Sequence, residues 1–379
     1  MKQYRIEEIC EVISGGTPST KVANYWNGDI IWLTPKDLSN TTTKWISRSS
    51  NKITTEGLDN SAARMLPINT VLLSSRAPIG YLALAGKQLC TNQGFKAMIC
   101  NTNYILPEYL YYYLHTKVEE LNNISTGSTF KELSSSLLKN YVVSIHDLTT
   151  QQHIVDILGS IDEKIENNEI LIQKIEEKVL LEYDRINTFE PLSEIVMSDC
   201  FDITIGKTPP RNESHWFTKN STDVKWLSIS DLGKSSVFCF DTSERITPEG
   251  ISKYNVKVVP KNTVVLSFKL TVGKVAITGC DMATNEAIAH FNSSNHCLLE
   301  YLYCYLKRYN FDTLGNTSSI ATAVNSKTIK AMHFFIPDNT VLENFHHKTL
   351  PLFENIRQLL IENQKLNELK QLYLKKFFG

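Results

Sequence analysis

The chain contains the same long pattern twice. Glu108-Tyr109-Leu110-Tyr111-Tyr112-Tyr113-Leu114 returns 192 residues later as Glu300-Tyr301-Leu302-Tyr303-Cys304-Tyr305-Leu306, with one change in seven. Other segments follow in the same order at nearly the same offset. Thr17-Pro18 matches Thr208-Pro209, and Trp32-Leu33 with Asp37-Leu38 matches Trp226-Leu227 with Asp231-Leu232. Ile53-Thr54-Thr55-Glu56-Gly57 matches Ile246-Thr247-Pro248-Glu249-Gly250, and Thr91-Asn92 matches Thr284-Asn285. Val71-Leu72-Leu73-Ser74, with Gly80 six residues on, matches Val264-Val265-Leu266-Ser267, with Gly273 six residues on. A period this long is a duplicated domain rather than a solenoid unit of roughly 20–50 residues. Two similar surfaces suit a target that itself has two related halves.

Each half carries the same plan: short strands and turns with one or two helices, then one long helix. Strands are expected at Ile30–Leu33, Val71–Ser74 and Tyr141–Ile145, and at Lys225–Ser228, Thr263–Ser267 and Met332–Ile336. Amphipathic helices are expected over Pro107–Leu121 and Leu299–Tyr309. The long helices are read from a seam with alternating spacings of four and three. In the first it comprises Ile154, Leu158, Ile161, Ile165, Asn168, Ile172, Ile175 and Val179. In the second it comprises Leu352, Ile356, Leu359, Asn363, Leu366 and Tyr373. Asn168 and Asn363 place one polar residue on each stripe, a device that fixes register at some cost in stability. Gly159-Ser160 should weaken the first helix and Pro351 should break or start the second. Beyond those points each runs about 28 residues, or ~42 Å. The matching stripes predict an antiparallel coiled coil. The expected fold class is α/β (mixed α+β), with two repeated domains, two long helices and internal pseudo-two-fold symmetry. The expected boundaries are 1–148, first domain; 149–188, first long helix; 189–340, second domain; and 341–379, second long helix.

Composition narrows the function classes. The 379 residues are 42% hydrophobic and 21% charged with a net charge of −1, and no apolar run approaches a bilayer span. The first residues lack an apolar signal region, so the expected compartment is the cytoplasm. The eight cysteines form no CxxC pair and mostly do not recur between the halves, so no duplicated metal or disulfide framework is expected. Acid is concentrated in residues 151–188, with nine Asp and Glu against four Lys and Arg. A DNA-binding role would therefore lack a large excess of phosphate-neutralising charge and would draw on a partner.

Tests for chemistry come out negative. Gly206-Lys207-Thr208 resembles the end of a phosphate loop, but Phe201 stands where the first glycine belongs, and Pro209-Pro210 would interrupt the required helix. There is no Asx-Pro-Pro-aromatic methylation motif; Thr208-Pro209-Pro210-Arg211 has the wrong first and last residues. No nucleophile–base–acid set recurs in both halves, so no catalytic residue and no metal site is expected. What does recur is a set of loops carrying small polar residues and a cation. In the first half these offer Thr17, Pro18, Ser19, Lys36, Ser75, Arg76, Gln93, Lys96, Ser128 and Thr129. In the second they offer Lys207, Thr208, Ser230, Lys269, Asn285, Thr317 and Ser318. Arg, Lys, Asn and Gln on such loops can pair with base edges in the major groove, while Ser, Thr and glycine amides hold phosphate oxygens. Ordinary turn chemistry accounts for the same residue types equally well in any single loop.

With these segments in order, the chain resembles the specificity subunit of type I restriction–modification systems over its whole length. The resemblance rests on Gly16-Thr17-Pro18-Ser19, on Ser75-Arg76 followed by Gly80, and on Gly127-Ser128-Thr129. It rests equally on Gln151-Gln152-x-Ile154-Val155-x-x-Leu158-x-x-Ile161-Asp162-x-Lys164-Ile165 leading into the long helix. It implies two target-recognition domains, each reading one half of a split double-stranded DNA sequence, spaced by helices that dock two modification (methyltransferase) subunits. It also implies restriction subunits that translocate and cleave using ATP. S-adenosylmethionine, ATP and Mg would sit on those partners, with no cofactor and no catalysis on this chain. Lys269 replaces Arg76, Glu286-Ala287-Ile288 replaces Gln93-Gly94-Phe95, and the segment from Pro337 lacks the Gln-Gln pair, so the half-sites should differ. The alternative is a duplicated DNA-binding or scaffold protein acting outside a restriction system.

Overall fold

In a computed structural model, which describes residues 1–39, 43–76, 78–125, 131–314 and 324–379, the chain divides into two units. Residues 1–167 with 363–379 form the first, and residues 168–362 form the second. Each unit thus takes half of each long helix.

The first unit is organised by a five-stranded sheet in the order Cys10–Ser14, Phe95–Cys100, Val71–Ser75, Ile79–Ala85, Trp45–Ile46. All pairs are antiparallel except the last, where Trp45 faces Leu84 in parallel register. Val71–Ser75 is buried throughout, so its sequence is a continuous small and apolar run rather than an alternation. Its two faces feed two cores. Val71 and Leu73 pack in the cluster of Tyr109, Tyr112, Ile154 and Leu158, while Leu72 packs with Leu33, Leu66, Leu89 and Phe95. A smaller sheet of Asn51–Ile53, Trp26–Leu33 and Cys90–Thr91, and a pair formed by Lys2–Arg5 and Val142–Ile145, complete the unit.

The second unit repeats the plan strand for strand: Asp202–Ile205, Ile288–Asn292, Val264–Ser267, Val275–Thr278, Phe238–Cys239, again with only the last pair parallel. Val264 and Leu266 face the core containing Tyr301, Ile172 and Ile175, and Val265 faces Leu227, Leu232 and Met282. The tyrosine-rich helices, Pro107–Thr116 and Leu298–Arg308, cover one face of each sheet. The first is shorter than the pattern suggested: Lys117 leaves helical geometry and a separate helix, Val118–Ile124, follows.

The long helices run through the positions expected to interrupt them. The central helix spans Leu148–Phe189 and the last helix Asn339–Phe378, with Pro351 inside it. Gly159 faces Lys44, whose Nζ would stand 3.5 Å from an added Cβ, so the position does not require a glycine. Pro351 is exposed, so the carbonyl that loses its helical donor can turn to water. In the first unit Asp162 pairs with Lys370 at 2.6 Å. In the second, Asn168 Nδ2 donates to Glu362 at 2.7 Å and Lys348 pairs with Glu182 at 2.7 Å, so the helices lie antiparallel. Seam residues Ile154, Leu158, Ile161, Asn168, Ile172, Ile175, Val179, Ile356 and Asn363 are buried, and Ile165, Leu352, Leu359 and Leu366 are half-buried. Seam residues also join the cores of the units: Ile154 and Leu158 in the first, and Ile172, Ile175, Val179 and Ile356 in the second.

One buried group marks the second unit. His290 stands where the first unit has Ala97, and its ring nitrogens meet Thr204 Oγ1 at 3.0 Å and Thr284 Oγ1 at 2.6 Å. Burial, with a smaller contribution from Lys257, pushes its pKa down to about 4. The unfolded chain therefore takes up the proton first, and stability falls as pH drops from about 6.5 to about 4. His290 accounts for about 3 kcal/mol of loss in the second unit, while His115, also pushed down to about 4 chiefly by burial, adds a loss of the same sign in the first. Urea midpoints at pH 7 and pH 5 should differ in the natural chain, and the difference should shrink in His290→Ala.

Candidate nucleic-acid interface

The recurrent loops meet at one turn in each unit. In the first, Thr91–Gly94 is the hub. Gly16 N donates to Thr91 O at 2.9 Å, Asn92 N to Leu33 O at 2.9 Å, and Ser75 N to Gly94 O at 2.7 Å. Thr17 Oγ1 donates to Gln93 Oε1, and Trp32 Nε1 holds Gly16 O at 2.9 Å. The approach is backbone to backbone: a Cβ on Gly15 would lie 2.0 Å from Asn92 O, so no other residue fits there.

The second unit builds the same hub from Thr284–Ala287. Lys207 N donates to Thr284 O at 2.9 Å, Asn285 N to Leu227 O at 3.1 Å, and Phe268 N to Ala287 O at 2.9 Å. Thr208 Oγ1 donates to Glu286, and Trp226 Nε1 reaches Lys207 O at 3.4 Å. A Cβ on Gly206 would lie 2.1 Å from Asn285 O.

Beside each hub a hairpin projects. Ser74 Oγ donates to Pro78 O at 2.7 Å and accepts from Tyr81 N at 2.8 Å, and Ser267 Oγ accepts from Lys274 N at 3.0 Å. Gly80 and Gly273 both take positive φ, +108° and +89°, which explains the glycine at that place in both repeats. On the first hairpin the Arg76 side chain is 39% exposed and lies 3.8 Å from Glu132, which also stands 3.9 Å from Lys96. On the second, Lys269 is exposed over Phe268, and Leu270 is 95% exposed with φ of +63°.

Several sequence assignments change here. Ser75 is fully buried inside its strand and Pro18 is buried, so neither offers a surface. The Lys96 side chain is only 7% exposed. Burial lowers its pKa, with Arg76 adding to the shift and Glu132 opposing it. Asn285 Oδ1 accepts from Ala287 N at 2.9 Å, as Asn92 Oδ1 accepts from Gly94 N, so both asparagines hold their turns. Thr17, Ser19, Lys36, Gln93, Lys207, Ser230 and Lys269 are exposed, and Thr208 is half-buried. Ser128, Thr129, Thr317 and Ser318 lie outside the described residues. Asp37, read from the sequence only as a repeated position, accepts from Thr34 and Ser50 through both oxygens. Burial raises its pKa, but these hydrogen bonds outweigh it and the net shift is downward. Leu270 and the Trp32 and Trp226 anchors escaped the sequence reading. An apolar residue following a lysine in a turn was the available signal for the first, and the repeated Trp-Leu for the others.

Comparison with known proteins places this architecture. The sequence pattern of the type I restriction modification DNA specificity domain matches residues 1–177 and again 193–371. The type I restriction enzyme MjaIX specificity subunit of Methanocaldococcus jannaschii is 33% identical, across 95% of this chain and 88% of the relative. The HindI specificity subunit of Haemophilus influenzae is 22% identical, across 72% and 77%. In fold, the chain is similar to the crystal structure of the type I restriction–modification S subunit from M. genitalium. The TM-score is 0.59 at 14% identity, covering 100% of this chain and 96% of the other. Among the described residues no helix is long and apolar enough to cross a membrane. With two copies of the specificity domain along its length, the chain belongs to the type I restriction–modification specificity subunits, the DNA-recognition and non-catalytic component of those systems.

Proposed function

We propose that each unit reads one half of a split double-stranded DNA target, with its hub turn and hairpin presented to the major groove. The observation that carries this is one scaffold built twice with different exposed side chains. Arg76 answers to Lys269, and Gln93 to Glu286, on corresponding backbone hydrogen bonds. Arginine reads guanine bidentately, lysine as a point charge, and glutamate accepts from cytosine, so the two half-sites differ in sequence. Thr17, Ser19, Lys36, Lys207, Thr208 and Ser230 serve phosphate oxygens. Leu270 supports an apolar contact such as a thymine methyl.

The chain assembles with other subunits of its system. In the finer reading, two modification subunits dock along the paired helices, in a pseudo-two-fold arrangement that reads the half-sites in opposite polarity. Restriction subunits join the same complex in the cytoplasm. S-adenosylmethionine, ATP and Mg belong to those partners. The net charge of −1 agrees with shared DNA contacts, because this chain alone neutralises few phosphates.

The test is a map of N6-methyladenine in DNA from cells expressing the chain with its modification subunit. A two-part motif with a fixed gap is the expected result; a contiguous motif would overturn the division of labour. Deleting one heptad from the central helix alone removes about 10 Å of rise. It should change the gap or abolish modification, and full modification at the original gap would exclude a spacer role.

A further inference from the structure

Among the described residues, the second unit carries a cluster of metal-ligating side chains and the first does not. One donor atom each from His296, Cys297 and His346 lie within 4.8 Å of one another. His346 Nδ1 is 2.8 Å from Glu300 Oε2, and the Glu300 side chain is 1% exposed. Its other oxygen, Oε1, is buried without a hydrogen-bond partner. Glu300, His296 and His346 all line one cavity of about 460 Å³.

The duplication makes this arrangement informative. Glu300 repeats Glu108, whose carboxylate is met by Lys44 Nζ at 2.9 Å. The backbone carbonyl of Lys44 accepts from Leu84 N as that of Val237 accepts from Ile277 N, both at 2.8 Å, so Val237 occupies the Lys44 position. The second unit has therefore kept the acid, buried it more deeply and lost its cation. In place of the lysine, the buried carboxylate faces a histidine, with a second histidine and a thiol close by. A carboxylate bound to one ring nitrogen of a histidine is the usual outer support of a metal-bound imidazole.

We propose that His296, Cys297 and His346 bind a Zn²⁺-class cation, with His346 using Nε2 and Glu300 orienting its ring. Two imidazoles and one thiolate form a borderline-soft set suited to Zn²⁺, and the cavity leaves the fourth position to water. Tetrahedral donors around zinc stand about 3.5 Å apart, by the usual bond lengths. The three donors already lie within 4.8 Å of one another, and His296, the exposed member, has room to turn toward the other two. The ion would tie the start of the helix Leu298–Arg308 to the last helix within the second unit. A metal site in one half only agrees with cysteines that do not recur between the repeats.

The experiment titrates Co²⁺ into the full chain, purified reduced and metal-free. One cobalt per chain with thiolate-to-metal charge-transfer absorption is expected, displaced by Zn²⁺. Cys297→Ser should remove that absorption, and His296→Ala, at an exposed position, should weaken binding by about 100-fold or more without changing the circular dichroism. Glu300→Gln should weaken it about 10- to 100-fold. Absence of stoichiometric binding in the natural chain would overturn the proposal, as would cobalt binding that survives both Cys297→Ser and His296→Ala unchanged.

Discussion

Asp162→Ala should destabilise the first unit by about 3 kcal/mol while leaving the second intact. Asp162 is a buried seam neighbour on the central helix, and it accepts from Tyr112 Oη at 2.6 Å and from Lys370 Nζ at 2.6 Å. It is the joint between three elements: the tyrosine-rich helix, the central helix and the last helix. Tyr112 is in turn reached by Lys44, which pairs with Glu108. Burial first, and the Asp162 charge second, push the Tyr112 phenol well above its ordinary pKa, so it stays a donor to the carboxylate. Alanine would strand a largely buried ammonium and a phenol at once. Asp162→Asn keeps an acceptor and loses the charge, so it should cost about half as much. A single unfolding free energy is poorly defined for a chain of two units, so the readout is residue-resolved hydrogen exchange. Amides in 107–116 and 148–167 should lose protection, and those in 263–292 should not. Equal loss in both units would mean that the joint is not local.

The duplication, the two long helices and the order of the loops were legible because they rest on sequence identity and period. What the period could not convey was which residues each position serves. Ser75 looked like a phosphate ligand because it precedes Arg76 in a polar loop. The strand it ends is buried on both faces, and the serine goes with the strand. Asn285 looked like a base reader on a polar loop, yet it repeats Asn92 because each turn needs an Oδ1 acceptor. Pro351 looked like a helix boundary because its missing amide is a local property, whereas continuation of the helix is decided by packing of the stripe on either side. The cluster around Glu300 was invisible for the opposite reason. Its members come from separate stretches, and its meaning lies in the lost partner of a repeated acid.

Arg76→Ala and Lys269→Ala should each weaken one half-site only, by roughly 1–3 kcal/mol, or about 5- to 150-fold. The two residues occupy the same place on equivalent hairpins, each between a buried serine that closes the turn and a glycine at positive φ. Their settings differ. Arg76 lies near Glu132 at 3.8 Å with both side chains well exposed, a pairing worth little against solvent and readily exchanged for a guanine edge. Lys269 has an aromatic ring beneath it and an exposed leucine after it, so it presents a point charge with an apolar neighbour. Arg76→Lys should therefore lose most of the discrimination at its half-site, because a lysine cannot reproduce the fork. Lys269→Arg should retain affinity and change the preferred base. The measurement is binding of the assembled modification complex to DNAs altered in one half-site at a time, at fixed salt, since a purely phosphate contact would lower affinity for every sequence alike. Glu132→Ala is the third variant. Freeing Arg76 from its carboxylate should strengthen the first half-site and leave the second unchanged. If Arg76→Ala and Lys269→Ala weaken both half-sites equally, the hairpins hold the backbone and the bases are read elsewhere on the hubs.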